Sequence, residues 1–267
     1  MVVFPPCKIN LGLRITAKRA DGYHDLETCF YPIPWTDVLE VIHAPSTSFA
    51  YSGHVIPGDS SSNLCEKAYH LLKRDFNLGP ISIHLHKVLP MGAGLGGGSS
   101  DGAYMLRLLD KLFELRLTRE KLLEYASVLG SDCPFFIGDG PMIGKGRGEI
   151  LTPVELSLKG TYAILLKPDI HISTAVAFAG ITPRKPSVAI EDVMSQTPSQ
   201  WRSVMHNDFE DSLFPKFAVL GELKEQLYQA GAYYASLSGS GSTVYGLFTK
   251  QTSVAISTSV TKWEGWL

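Results

Sequence analysis

Two hydrophobic rhythms run through this chain. Ile9, Leu11, Leu13 and Ile15 fall at every second position, with polar or small residues between them. A period of two puts one set of side chains on a single face of an extended strand. Val38-Leu39-Glu40-Val41-Ile42 reads as another strand, and so does Ile81-Ser82-Ile83-His84-Leu85-His86-Lys87. The latter has one polar face, which suits an antiparallel or edge-facing sheet rather than a parallel sheet covered on both sides. Ala20-Asp21-Gly22 marks a turn, and residues 1–60 as a whole read as β-rich.

From Asn63 the rhythm becomes helical. Residues 63–74 form one expected helix. A second runs from Ser100 to about Leu115, with Met105, Leu106, Leu109, Leu112 and Phe113 along one face and Ser99 or Ser100 as the expected N-cap. After Thr118, Leu122, Leu123, Ala126 and Leu129 point inward and Gly130 closes the helix. Strands are expected at about 140–152 and 161–166, and a helix at about 216–229. Two short strands, 233–237 and 243–248, flank Ser238-Gly239-Ser240-Gly241-Ser242. Residues 182–200 are rich in turn formers and form the softest region. The mixture predicts an α+β protein with a boundary near residue 155, giving domains 1–155 and 156–267.

Composition narrows the class. The 267 residues are 45% hydrophobic and 19% charged, with a net charge of −2. That is ordinary for a water-soluble globular chain and gives no electrostatic case for nucleic acid or an anionic membrane. No apolar run reaches the length of a membrane span. The start, Met1 to Lys8, has no basic opening and no long apolar centre, unlike a secretory leader. Cys7, Cys29, Cys65 and Cys133 form no Cys-x-x-Cys pair and read as reduced, buried thiols of a cytoplasmic protein. The expected partner is a small molecule, with no nucleic acid, membrane or obligate protein partner.

One stretch changes the picture: Pro90-Met91-Gly92-Ala93-Gly94-Leu95-Gly96-Gly97-Gly98-Ser99-Ser100. Glycines that open a helix let backbone N–H groups converge on one point, and the helix dipole adds positive potential there. That describes a phosphate cradle. A Walker A loop needs a lysine after the glycines, and Gly98 runs straight into Ser99. Gly92, Gly94 and Gly97 fit the dinucleotide spacing, but the amphipathic strand before them and the missing ribose-binding acid disfavour an oxidoreductase. A protein-kinase glycine loop sits in a hairpin, whereas this one enters a helix.

Phosphoryl transfer also needs a cation and a group near the attacking hydroxyl. Lys8 and Asn10 lie on one face of the first strand. A lone lysine there reads more often as a surface residue; the pairing with Asn10 raises the functional reading. Asp132, in Gly130-Ser131-Asp132-Cys133-Pro134, stands at an expected helix start as a cap, a base, or both. Tyr23-His24 follow the tight turn, and Phe178 reads equally as core or as ligand platform. Gly239 and Gly241 read as a hairpin turn. His84 and His86 share a strand face without a third ligand and read as surface residues.

The glycine loop closely resembles the Pro-x-Gly-x-Gly-Leu-Gly-Ser-Ser loop of the GHMP kinases. Lys8-x-Asn10 resembles the family's Ala-Lys-x-Asn start, with Cys7 in place of alanine. Gly130 to Pro134 resembles its Gly-x-Asp-Val-Pro motif, with Cys133 in place of valine, a small and roughly isosteric change. Arg19-x-Asp21-Gly22-Tyr23-His24 and the triple glycine resemble the branch that acts on a cytidine diphosphate-linked methylerythritol. The resemblance implies an N-terminal α+β domain like ribosomal protein S5, a ferredoxin-like C-terminal domain, and ligands in the cleft. It implies ATP bound by residues 90–100 and bordered by Asn63 and Lys87. Lys8 and Asp132 become catalytic. Asn10, Tyr23, His24, Phe30, Thr174, Phe178, Gly239 and Gly241 become substrate residues, with cytosine between Tyr23 and Phe178 and read by His24. Mg²⁺ would bridge ATP phosphates, with Ser99 or Ser100 as direct or water-mediated ligands. The implied reaction phosphorylates a tertiary hydroxyl on the way to isoprenoid precursors. The rivals are another GHMP substrate (homoserine, a mevalonate or a sugar) and a non-catalytic ATP-binding sensor on the same fold.

Overall fold

The computed structural model describes residues 1–56 and 63–267; residues 57–60, the end of the expected β-rich stretch, lie outside them. In chain order the strands are β1 (Val2–Val3), β2 (Pro6–Lys18), β3 (His24–Thr36), β4 (Val38–His43), β5 (Ser48–Gly53), β6 (Ile81–Lys87), β7 (Met142–Lys145), β8 (Ile150–Pro153), β9 (Tyr162–Pro168), β10 (Tyr234–Leu237), β11 (Val244–Phe248) and β12 (Val260–Trp266). The helices are α1 (Leu64–Phe76), α2 (Gly97–Leu112), α3 (Arg119–Leu129), α4 (Thr174–Phe178), α5 (Ile190–Met194), α6 (Trp201–Val204), α7 (Phe209–Leu213) and α8 (Ala218–Gln229). The fold is α+β. The chain forms two compact units, each built from separated segments.

The first unit comprises Met1–Cys7, Ile33–Met91 and Gly96–Asp139. Its sheet runs β1-β4-β6-β5. β6 pairs antiparallel with β4, as its polar face suggests, and parallel with β5 on its other edge. Leu39, Val41, Ile81, Ile83 and Leu85 are buried, while Glu40, His84 and His86 are exposed. Ser52 Oγ lies 2.8 Å from His84 Nε2 and 2.9 Å from His86 Nδ1, so the two imidazoles are tied to a hydroxyl. Asn63 caps α1, its Oδ1 accepting the Cys65 N–H at 2.8 Å.

α2 starts earlier than its serines suggest. Its N-cap is Gly96, left-handed at φ 69°, and the Ser100 N–H bonds the Gly96 carbonyl at 2.9 Å. Ser99 and Ser100 therefore lie inside the first turns rather than capping them. A glycine takes that left-handed conformation with no Cβ strain, so the helix forms as soon as the loop permits. The helix also ends at Leu112, before Glu114 and Arg116 adopt positive φ.

The second unit comprises Lys8–Pro32, Gly92–Leu95 and Gly140–Leu267. One sheet runs β2-β3-β7-β8, the other β10-β11-β9-β12. The stretch expected as one strand at 140–152 is a hairpin, with Gly144 opposite Leu151. α8 packs on β9, β10 and β11. The core gathers Leu13, Ile15, Ile164, Leu166, Phe209, Leu223, Leu227 and Phe248. The turn-rich 182–200 region contains α5 and a short 3-10 turn, Pro198–Gln200, with a reciprocal Thr197/Gln200 capping box.

All four cysteines are unbridged and buried, and burial pushes the Cys29 and Cys133 thiols up to about 12. Thiolate is the reactive species. In Ellman titrations at pH 8 the native chain is expected to release almost no colour, with all four thiols reacting once denaturant is added. Rapid labelling of the native chain would contradict the burial.

Candidate active site

In the second unit, β2 meets the glycine loop. Alternation along β2 puts Lys8 and Asn10 on one face. Lys8 Nζ donates to Asn10 Oδ1 at 2.7 Å and to the Gly94 carbonyl at 3.1 Å, and its backbone N–H bonds the Leu95 carbonyl at 2.9 Å. The lysine is only 4% exposed, and its ammonium lies 5.2 Å from the centre of the Phe30 ring. Asn10 Nδ2 donates to Thr28 Oγ1 at 3.0 Å, which fixes the amide so that its oxygen faces the lysine.

The same loop is gripped from the 238–243 turn. Ser238 Oγ donates to the Gly94 carbonyl at 2.9 Å, and the Thr243 N–H reaches the Ala93 carbonyl at 3.2 Å. A Cβ on Gly94 would lie 2.0 Å from the Ser238 carbonyl oxygen, so only glycine fits there. At Gly239 a Cβ would lie 3.2 Å from the Gly94 carbonyl and 3.4 Å from Asn10 Oδ1. Lys8, Asn10, Gly94 and Gly239 thus come together. Asn207, absent from the sequence reading, donates to the carbonyls of Leu237 and Gly239 at 2.8 and 2.9 Å and holds the turn. Gly241 is buried behind it against Leu237 and Ile172, and Thr174 opens α4 exposed to solvent.

The Tyr23-His24 turn is built by charge. Arg19 spans Asp21 and Asp25, each at 3.0 Å, and Asp21 Oδ1 accepts the Tyr23 N–H at 3.1 Å. That backbone donor, with Arg19 beside it, holds the Asp21 carboxyl below its usual range. His24 stacks on Phe178, with ring centres 4.9 Å apart and planes 22° apart. Phe209 meets Phe178 edge-on at 4.9 Å. Tyr23 is 56% exposed and lies under the Arg147 guanidinium, 4.9 Å from ring centre to carbon. His24 thus covers one face of Phe178, the ring that the resemblance assigns to cytosine.

In the first unit, Lys87 turns its ammonium inward. Nζ bonds Asp37 Oδ2 and, at 2.7 Å, Asp101 Oδ2. Asp37 Oδ1 accepts the N–H groups of Val88 and Leu89 at 2.6 and 2.8 Å. Burial works against the ammonium, but the two carboxylates outweigh it and raise its pKa. Burial, with Asp37 adding to it against the pull of Lys87, pushes Asp101 up to about 7. Neither aspartate was expected from sequence. A signal existed for Asp101: it precedes Met105 by one helical turn, on the apolar face.

Gly97 stands over this cluster, its missing Cβ 3.4 Å from Lys87 Nζ. Pro90 and Met91 lead into the loop half-buried. Ser99 hydrogen-bonds Cys133, while Ser100 Oγ is buried with no hydrogen-bond partner. Asp132 precedes the 3-10 turn Cys133–Ile137, half-buried and making no capping bond with its side chain. Pro134 and four apolar neighbours bury that turn and fix the aspartate's backbone.

Comparisons with known proteins agree with these motifs. The family model for the GHMP kinases N-terminal domain matches residues 63–140, and that for the GHMP kinases C-terminal region matches 189–263. The chain is 50% identical over 252 residues to 4-diphosphocytidyl-2-C-methyl-D-erythritol kinase of Bacteroides thetaiotaomicron, covering 93% of this chain and 92% of the relative. It is 44% identical over 270 residues to the protein of that name from Porphyromonas gingivalis, covering 99% and 98%. A crystal structure of 4-(cytidine 5'-diphospho)-2C-methyl-D-erythritol kinase superposes with a TM-score of 0.81 at 31% identity, covering 92% of this chain and 90% of the other. A mevalonate kinase at 13% identity, with a TM-score of 0.71, shares the fold.

Replacing Lys87 by methionine is expected to destabilise the chain by about 3–5 kcal/mol, because it strands two buried carboxylates. Urea denaturation would measure the loss. Adding Asp101→Asn should recover part of it, and a simple additive loss would show that the groups are not coupled.

Proposed function

The chain belongs to the GHMP kinases, and on that premise we propose that it transfers the γ-phosphoryl group of ATP to the 2-hydroxyl of 4-diphosphocytidyl-2-C-methyl-D-erythritol. This is an isoprenoid-precursor step. The observation that carries the reading is the joint placement of Lys8, Asn10 and the Gly94 segment, together with a Tyr23-His24 turn that meets Phe178. Identity at the 50% level across 93% of the chain to a kinase of that name supports it. The division into 1–155 and 156–267 belongs to the same reading, supported by family matches on either side of residue 155.

ATP is the phosphoryl donor, as in the family. The loop from Pro90 to Ser100 surrounds its phosphates with backbone N–H groups at the start of α2. Asn63 borders the adenosine through the start of α1. Asp132 accepts the proton of the 2-hydroxyl as that oxygen attacks the γ-phosphorus. The bond from phosphorus to the β–γ bridging oxygen breaks, and ADP leaves. Lys8 offsets negative charge that shifts during transfer. Asn10 holds the ammonium in place, and Phe30 packs beneath it. Tyr23, His24 and Phe178 take the cytosine, Thr174 lies beside them, and Gly239 and Gly241 let the substrate approach the turn backbone.

Mg²⁺ fits this site through Ser100, whose buried hydroxyl lacks a partner, and through Ser99 beside it. Among the described residues no group of three or more His, Cys, Asp or Glu side chains is placed to hold a metal. Bound there, the ion would neutralise phosphate charge. Among the described residues no helix is long and apolar enough to cross a membrane, and a small molecule is the partner the site calls for.

An ADP-release assay comparing the cytidylyl substrate with homoserine and mevalonate tests the reading directly. Turnover of the cytidylyl substrate alone is expected. Asp132→Asn should leave folding and ATP affinity intact and lower kcat by about 10²–10⁴. Retention of more than about a tenth of the activity would remove Asp132 as the base. Lys8→Ala should lower kcat more than it raises the KM for ATP. A change confined to that KM would make Lys8 a ground-state binder.

Tyr23→Ala and Phe178→Ala should each raise the KM for the cytidylyl substrate, with the KM for ATP unchanged. Base–aromatic stacking is worth roughly 1–3 kcal/mol, which converts to about 5- to 150-fold. A shift in the ATP constant alone would move this turn to the nucleotide donor.

A further inference from the structure

The Tyr23 turn carries a cation that the proposed chemistry has not used. Arg147 lies in the hairpin between β7 and β8, its guanidinium over the Tyr23 ring. Its place is built. The Leu26 N–H bonds the Gly146 carbonyl at 2.7 Å, and the Arg147 N–H bonds Glu149 Oε2 at 2.6 Å. Neighbouring cations are committed: Arg19 to Asp21 and Asp25, and Lys145 to Glu191 at 2.8 Å. Arg147 is less so. Its Nε forms an ion pair with Glu149 Oε1 at 3.8 Å, too long for a hydrogen bond, and among the described residues its two terminal nitrogens donate to no side chain or carbonyl.

Electrostatics give this cation a task. Asp21, Asp25 and Glu149 face Arg19 and Arg147 around the turn, so without Arg147 a diphosphate brought to Tyr23 would meet three carboxylates and a single guanidinium. A guanidinium seated on an aromatic ring keeps its N–H donors at its edge, and their fork geometry matches two phosphate oxygens. We propose that Arg147 is a substrate-recognition residue that backs the Tyr23 ring and binds the diphosphate of the cytidylyl substrate. The proposal rests on the assignment of Tyr23 to the cytidine site.

Calorimetric titration of the full-length chain with cytidine, CDP and ADP tests it, in the wild type and in Arg147→Ala, Arg147→Gln and Arg147→Lys. The wild type should bind CDP more tightly than cytidine. Arg147→Ala and Arg147→Gln should weaken CDP by roughly tenfold, the scale of one charge-assisted hydrogen bond, and change cytidine by less than about twofold. Arg147→Lys should recover part of the CDP affinity. ADP binding and the melting temperature should not move. Parallel losses for CDP and cytidine would overturn the proposal, because Arg147 would then act only through the ring. So would unchanged CDP affinity, or a loss confined to ADP. A wild type that binds neither cytidine nor CDP would instead remove the cytidine site itself, and the proposal with it.

Discussion

One buried ammonium organises the first unit of this chain. Lys87 sits at the end of β6, Asp37 at the junction of β3 and β4, and Asp101 within α2, so a single cation ties three elements together. Asp37 adds bonds to the backbone of Val88 and Leu89, the residues that lead into Pro90. A charge taken out of water keeps its ionisation only when partners surround it closely. The cluster is therefore intolerant of drift, and the start of α2 inherits that rigidity. A phosphate site built from backbone N–H groups depends on such support, because those donors cannot adjust by changing rotamer.

The second unit solves a related problem with one lysine and neutral hydrogen-bonding groups. Lys8, steadied by Asn10, and Ser238 both donate to the Gly94 carbonyl, and Thr243 holds Ala93. With its carbonyls engaged from that side, the loop backbone has a fixed orientation. Lys8 organises the loop through Gly94 and brings to it a positive charge from β2.

Much of this was legible in the sequence because it follows from backbone geometry. Glycine spacing marks a loop that approaches a ligand, and alternation marks β2 and β6. The same alternation puts Lys87 on the face of Ile81, Ile83 and Leu85, so its inward direction was there to be read. The identity of its partners was not, because Asp37 and Asp101 come from distant segments. The α2 cap was misplaced because hydroxyl side chains outrank glycine as caps, while here the left-handed turn at Gly96 starts the helix. β12 escaped notice because it is an edge strand with Thr261, Lys262 and Glu264 exposed, leaving little period to detect. The 238–242 turn was visible, but Asn207 beneath it carries no local signal.

The contact between His24 and Phe178 bears on how any flat ligand would register there. The Phe178 ring is already shielded from water by an imidazole on one face and by Phe209 at its edge. A ligand that displaces His24 exchanges one stacked ring for another and dries little new carbon. The heat-capacity change on binding follows newly buried apolar area. The aromatic part of such a binding event should therefore leave a small heat-capacity signature, with its favourable free energy expressed mainly as enthalpy.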